Sequence, residues 1–109
     1  MLIEFDKLDT TVIDHFKGGE GKLKAQMYVD DLGKIMHGHL DKGSSIGLHL
    51  HEDSSEVIYV LSGTATAYVN GHKEKLRPGV ATYCPMDSDH EITDVCDDGL
   101  DFIAVVPFH

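Results

Sequence analysis

The chain has 109 residues, 41% of them hydrophobic and 26% charged. That is the make-up of one ordinary globular domain, with enough apolar material for a single core and not for two. Nine basic residues against nineteen acidic ones give a formal net charge of −10, which argues against nucleic acid and anionic membrane partners because both draw on clustered Lys and Arg.

Cys84 and Cys96 lack CxxC spacing, and the opening MLIEFDKLD has neither a basic start nor an apolar stretch of leader type. No apolar run reaches membrane-spanning length. Free thiols and a cytoplasmic location are therefore expected.

Residues 1–21 mix strand and helix periods through Leu2, Ile3, Phe5, Leu8, Val12, Ile13 and Phe16, so no element is assigned there. They close on the turn cluster KGGEG (17–21), read as a tight bend. Short strands then follow at close spacing: KAQMYV (24–29), KIMHGHL (34–40), IGLHLH (46–51) and EVIYVL (56–61). TATAYV (64–69) meets Asn70-Gly71, a strong hairpin signal, and KEKL (73–76) returns. VATYC (80–84), HEITDV (90–95) and LDFIAVV (100–106) complete the series. Eight or more strands with almost no helical period predict an all-β antiparallel sandwich or small barrel forming a single domain over residues 1–109.

Two His-x-His pairs compete as a metal site: His37 with His39, and His49 with His51. In a strand, residues two apart share a face, so either pair could lean toward one ion. After His51 a four-residue turn leads to Glu56, and a hydrogen-bonded return strand about 4.8 Å away would bring that carboxylate beside the two imidazoles. After His39 no short hairpin returns an acid. Met36, Gly38 and Leu40 take the face better suited to the interior, which leaves His37 and His39 outside with Ile35.

The second pair also carries a resemblance. Gly43-x5-His49-x-His51-x4-Glu56-x6-Gly63 resembles the first motif of the cupin superfamily, and Gly79-x5-Pro85-x4-His90-x3-Asp94 resembles the second, fifteen residues later. The usual Pro-x-Gly is here Pro85-Met86-Asp87, and the usual terminal Asn is Asp94. Both changes fall on turn positions, where Asp tolerates left-handed backbone. The resemblance implies a cupin-type antiparallel β-barrel, a jelly-roll-like double-stranded β-helix, with His49, His51, Glu56 and His90 binding a metal inside it.

Three imidazoles and one carboxylate suit a divalent transition metal (Fe, Mn, Ni, Zn or Cu) and are too rich in nitrogen for Ca or Mg. A five- or six-coordinate ion would keep one or two positions open for water or substrate. Strand parity adds Gly47, Ile58, Val60 and Ile92 to the lumen, with Gly47 leaving room for a ligand. Met36, Tyr83, Cys84 and Phe102 are further lining residues or, more simply, core. Parity also sends Ile46, Leu48, Leu50, Val57, Tyr59 and Leu61 outward, an apolar patch that the N-terminal segment or a second subunit would cover. A homodimer is expected. The resemblance allows a metal-dependent enzyme (oxygenase, decarboxylase, isomerase or lyase) acting on a small organic substrate, in which Glu56 could be released as a base. The alternative is a module that binds or senses metal and ligand without turnover.

Overall fold

The computed structural model describes all residues 1–109. Ten strands form two antiparallel sheets. In chain order they are β1 (Thr11–Asp14), β2 (Lys22–Asp30), β3 (Gly33–Leu40), β4 (Ile46–His51), β5 (Glu56–Ser62), β6 (Ala65–Val69), β7 (His72–Leu76), β8 (Ala81–Cys84), β9 (Ser88–Thr93) and β10 (Leu100–Pro107). The larger sheet has the order β1-β2-β3-β10-β5-β8 and the smaller β4-β9-β6-β7. Single 3-10 turns at Phe5–Lys7 and Phe16–Gly18 are the only helical pieces. No helix is long and apolar enough to cross a membrane.

The strands follow the turn chemistry. Asn70 (φ 50°) and Gly71 (φ 79°) both take positive φ, which matches the right-handed twist of the flanking strands and sets Val69 opposite His72. Asp87 (φ 65°) and Asp94 (φ 55°) are left-handed too, so the two departures in the second motif fall where a short polar side chain tolerates that backbone. The element missed within residues 1–21 is β1, whose TVID pairs with Lys22–Ala25 across the bend.

The sheets close around Leu23, Met36, Leu40, Ile58, Val60, Ile92, Leu100 and Phe102, all essentially inaccessible. On β3, Met36, Gly38 and Leu40 are buried and His37 and His39 are not, as the alternation predicts. Gly38 is needed because the Phe102 ring lies over it: a Cβ there would come within 2.4 Å of the ring. Phe102 is thus core and not pocket wall.

Three expectations need correction. Ile46 is buried, at 4% exposure: the pairing of β4 with β9 shifts register between Ile46 and His49, and this irregularity turns Ile46 inward against Ile92. Tyr83 is 55% exposed and lies outside, opposite Val57. The apolar patch is also not continuous, because Leu48 and Leu50 sit on the smaller sheet while Val57, Tyr59 and Leu61 sit on the larger.

Candidate metal centre

Four side chains from three strands meet at one end of the barrel. β4 supplies His49 and His51, β5 opens on Glu56, and β9 carries His90, whose register partner is His49. Their ligand atoms all lie within 4.8 Å of one another. His90 Nε2 is 3.1 Å from His49 Nε2 and 3.0 Å from His51 Nε2. Glu56 Oε1 is 3.1 Å from His51 Nε2 and 3.0 Å from His90 Nε2. Glu56 and His90 are buried; His49 and His51 are half-buried.

These separations are informative. Two donors each about 2.1 Å from an ion lie roughly 3.0 Å apart at a right angle and roughly 3.4 Å apart at the tetrahedral angle. Four of the six donor pairs are separated by 3.0–3.1 Å, close enough that one ion would be within reach of both members of each pair.

Two of the imidazoles are oriented from behind. His49 Nδ1 donates to the Gly47 carbonyl at 2.7 Å, and His51 Nδ1 meets Ser54 Oγ at 2.7 Å. The Gly47 carbonyl can only accept, so His49 carries its proton on Nδ1 and its Nε2 lone pair faces the centre, which is how an outer partner fixes a ligating tautomer; Ser54 holds the His51 ring in place. Burial holds the His49 imidazole below its ordinary pKa, against a raising effect of the Gly47 carbonyl and helped by the neighbouring imidazoles. That keeps it neutral, as a ligand must be. Burial pushes the Glu56 carboxyl up, but the hydrogen bonds and charge of His51 and His90 outweigh it and hold it down to about 2. Glu56 is therefore an anion at neutral pH.

Around this set, Ile58, Ile92 and Met36 are buried as expected. Cys84, the register partner of Glu56, is buried too; burial first, then the Glu56 and Asp89 charges, push its thiol up to about 11. It stays protonated and is no nucleophile. Gly47 does not leave room for a ligand. A Cβ there would come 2.0 Å from the Lys17 carbonyl oxygen and 2.8 Å from the Gly19 nitrogen, so the space is filled by this chain's own backbone. That segment is pinned by Ser45 N to Glu20 O at 2.8 Å, Glu20 N to Ser45 Oγ at 2.8 Å and Lys22 N to Ser44 Oγ at 3.1 Å. It places the Phe16 ring 6.5 Å from the His49 ring, edge on. Sequence reading missed Phe16 as a wall of the site and Ser54 as the His51 orienter. The only available signal for Ser54 was a serine inside the turn that links the ligands.

The first pair behaves differently. His37 and His39 face outward and contact carboxylates: Asp101 Oδ1 is 3.3 Å from His37 Nε2 and 3.0 Å from His39 Nδ1, and Asp41 Oδ1 is 2.9 Å from His39 Nε2. His37 Nδ1 is also 2.7 Å from Gln26 Oε1. The two rings share Asp101 Oδ1, but their other nitrogens turn away to Gln26 and Asp41, and only His49, His51, Glu56 and His90 gather three or more donors at metal-holding distance. Phe5 packs against His37, and the cavity beneath it, about 390 Å³, is the largest in the chain. It holds no converging donor set. The cleft beside His49, His51 and Glu56 is smaller, about 210 Å³.

Comparison with known proteins agrees with this geometry. The Cupin domain family model matches residues 36–106. The chain belongs to the cupin family. A curated oxalate-binding protein of Thermotoga maritima is 25% identical over 114 residues, covering 97% of this chain and 93% of that protein. The crystal structure of a predicted oxalate decarboxylase from the same organism superposes with a TM-score of 0.93 at 23% identity over the whole of both chains. An RmlC-like cupin from Shewanella frigidimarina gives a TM-score of 0.73 at 28% identity, over 92% of this chain and 85% of its own.

Proposed function

We propose that this cupin binds a divalent transition metal through His49, His51, Glu56 and His90 and uses it to hold a small carboxylate in the adjoining cleft. The observation that carries the reading is the convergence of three Nε2 atoms and one carboxylate oxygen at ligand spacing. Fe, Mn, Ni, Zn and Cu all suit the donor set. When bound, such an ion supplies Lewis acidity to an anionic oxygen. The cleft, about 210 Å³, is below the roughly 300–1,000 Å³ of sites for drug-sized ligands, so its occupant is small. The names of the Thermotoga relatives, oxalate-binding protein and predicted oxalate decarboxylase, support a dicarboxylate as the first ligand to test.

An enzyme of the decarboxylase, oxygenase, isomerase or lyase type is the leading reading. Binding without turnover is the second, and it has an observation in its favour. Glu56, held near 2, is a weak base, and Cys84 stays protonated, so the site offers no obvious proton-transfer group. Metal analysis of the purified protein, followed by incubation with oxalate and detection of formate, tests both readings. Metal retention with formate release supports the enzyme. Retention with oxalate bound intact supports the binding module. A protein that holds no transition metal refutes the proposal.

The larger sheet exposes Val57, Tyr59, Leu61, Tyr83 and Val105 on its outer face; Phe5 and Leu8 of the N-terminal segment line a cavity with Leu61 and Ile103, and Ile3 lines another with Val105, which leaves Val57, Tyr59 and Tyr83. This remaining apolar surface supports a homodimer. The two free thiols suit a cytoplasmic setting.

A further inference from the structure

The mouth of the metal cleft carries two lysines that the fold brings together from distant parts of the chain. Lys34 lies on β3 in the same alternation as buried Met36 and Leu40, and it pairs in register with buried Val106, so it belongs to the lumen side of its strand. Lys17 sits on the segment latched over Gly47, with left-handed backbone (φ 55°, ψ 31°) and its ammonium 5.5 Å from the centroid of the Phe16 ring. Both line the cleft that His49, His51 and Glu56 border. Neither makes an ion pair; the lysines that do are Lys7, Lys24 and Lys42, with Glu4, Asp41 and Asp97.

Two cations without a carboxylate partner therefore share one small mouth in a chain of net charge −10. The only other charged groups lining the cleft are Glu52 and Glu56. With a divalent ion at the centre and neutral imidazoles, the two lysines and the ion outweigh the two glutamates by two positive charges. A field of that sign and size inside a partly enclosed cleft favours a dianion over a monoanion or a neutral molecule.

We propose that Lys17 and Lys34 are the specificity-determining residues of this site, selecting a small dicarboxylate with one end toward the metal and the other at the ammonium groups. The inference rests on the metal-binding reading above, and it assigns the anion selection to side chains that do not touch the metal. Lys17 owes its position to the 15–21 segment, so that bend is part of the recognition apparatus.

The test uses zinc-loaded full-length protein and calorimetric titration with oxalate, acetate and imidazole, alongside zinc content by mass spectrometry. Lys34→Met and Lys17→Met should each weaken oxalate about tenfold, the loss expected when one charged hydrogen bond is removed. They should weaken acetate less, while zinc content and imidazole binding stay at wild-type values. Lys34→Arg, which keeps the charge, should retain most of the oxalate affinity and guards against a folding defect. Equal oxalate affinity in wild type and both Met variants overturns the inference and leaves the metal site standing. The same holds if wild type prefers acetate to oxalate. Absence of zinc from the wild-type protein overturns the metal-binding reading itself.

Discussion

Gly47→Ala is a demanding test of how the mouth of the barrel is built. The added Cβ would lie 2.0 Å from the Lys17 carbonyl oxygen and 2.8 Å from the Lys17 carbonyl carbon and the Gly19 nitrogen. All three are backbone atoms, so no side chain can rotate away. To restore ordinary contact, the 15–21 segment must retreat by roughly 1 Å or more, against hydrogen bonds to Ser44 and Ser45 and the packing of Phe16 on His49. Overpacking of this kind costs about 1–3 kcal/mol, a measurable fraction of the stability of a domain this size. Urea unfolding of wild type and variant gives the difference directly, and limited tryptic cleavage after Lys17 and Lys22 reports whether the segment has lifted. The expected result is a lower midpoint with faster cleavage at Lys17, and an unchanged metal content, since no donor is touched. A variant as stable and as protease-resistant as wild type would show that the segment does not rest on Gly47 in solution.

His49→Ala and His90→Ala should each lose the metal, whereas His37→Ala should keep it, as read by metal content after dialysis; loss in His37→Ala would contradict the choice between the pairs. Ser54→Ala should weaken metal affinity about 10- to 100-fold by releasing His51 from its orienting contact, and competition with a chelator measures this. Asp101 offers a pH test. Burial raises its carboxyl, but bonds from His39 and Ser62 and the charge of His39 and His37 bring it below 3.8. A carboxyl lowered on folding is protonated first in the unfolded chain, so its stabilisation is present above pH about 4 and fades as pH falls below that. The stability gap between wild type and Asp101→Asn should therefore be present above pH about 4 and narrow below it; a gap that widened in acid would refute this. Tyr59→Lys, placed on the exposed face of the larger sheet, should shift sedimentation from dimer to monomer; a wild type already monomeric at micromolar concentration would rule the dimer out.

Much of the strand order was legible because turns are written locally. Asn70-Gly71 needs only its own φ angles to make a hairpin, and the His49–Glu56 stretch needs only a short turn to bring its donors together. His90 lies 41 residues from His49 and was reached through motif resemblance, which strand alternation alone does not provide. What escaped reading depended on contacts between distant segments. Ile46 faces inward because of an irregularity in the pairing with β9, and period-two counting passes straight over such a defect. Gly47 was read as leaving room for a ligand, but its missing side chain makes way for Lys17 and Gly19 backbone. Phe16, Lys17 and Lys34 look like unremarkable residues until the fold sets them at one opening.

The strand order of the larger sheet has a consequence for biogenesis. β10, later in sequence than every other strand, lies between β3 and β5. Until residues 100–107 leave the ribosome, β3 and β5 each present an unpaired backbone edge to the cell, the kind of surface that recruits foreign strands. The nascent chain must thus wait, half-built and sticky, and its yield on expression should respond to chaperone supply more than its final stability would suggest.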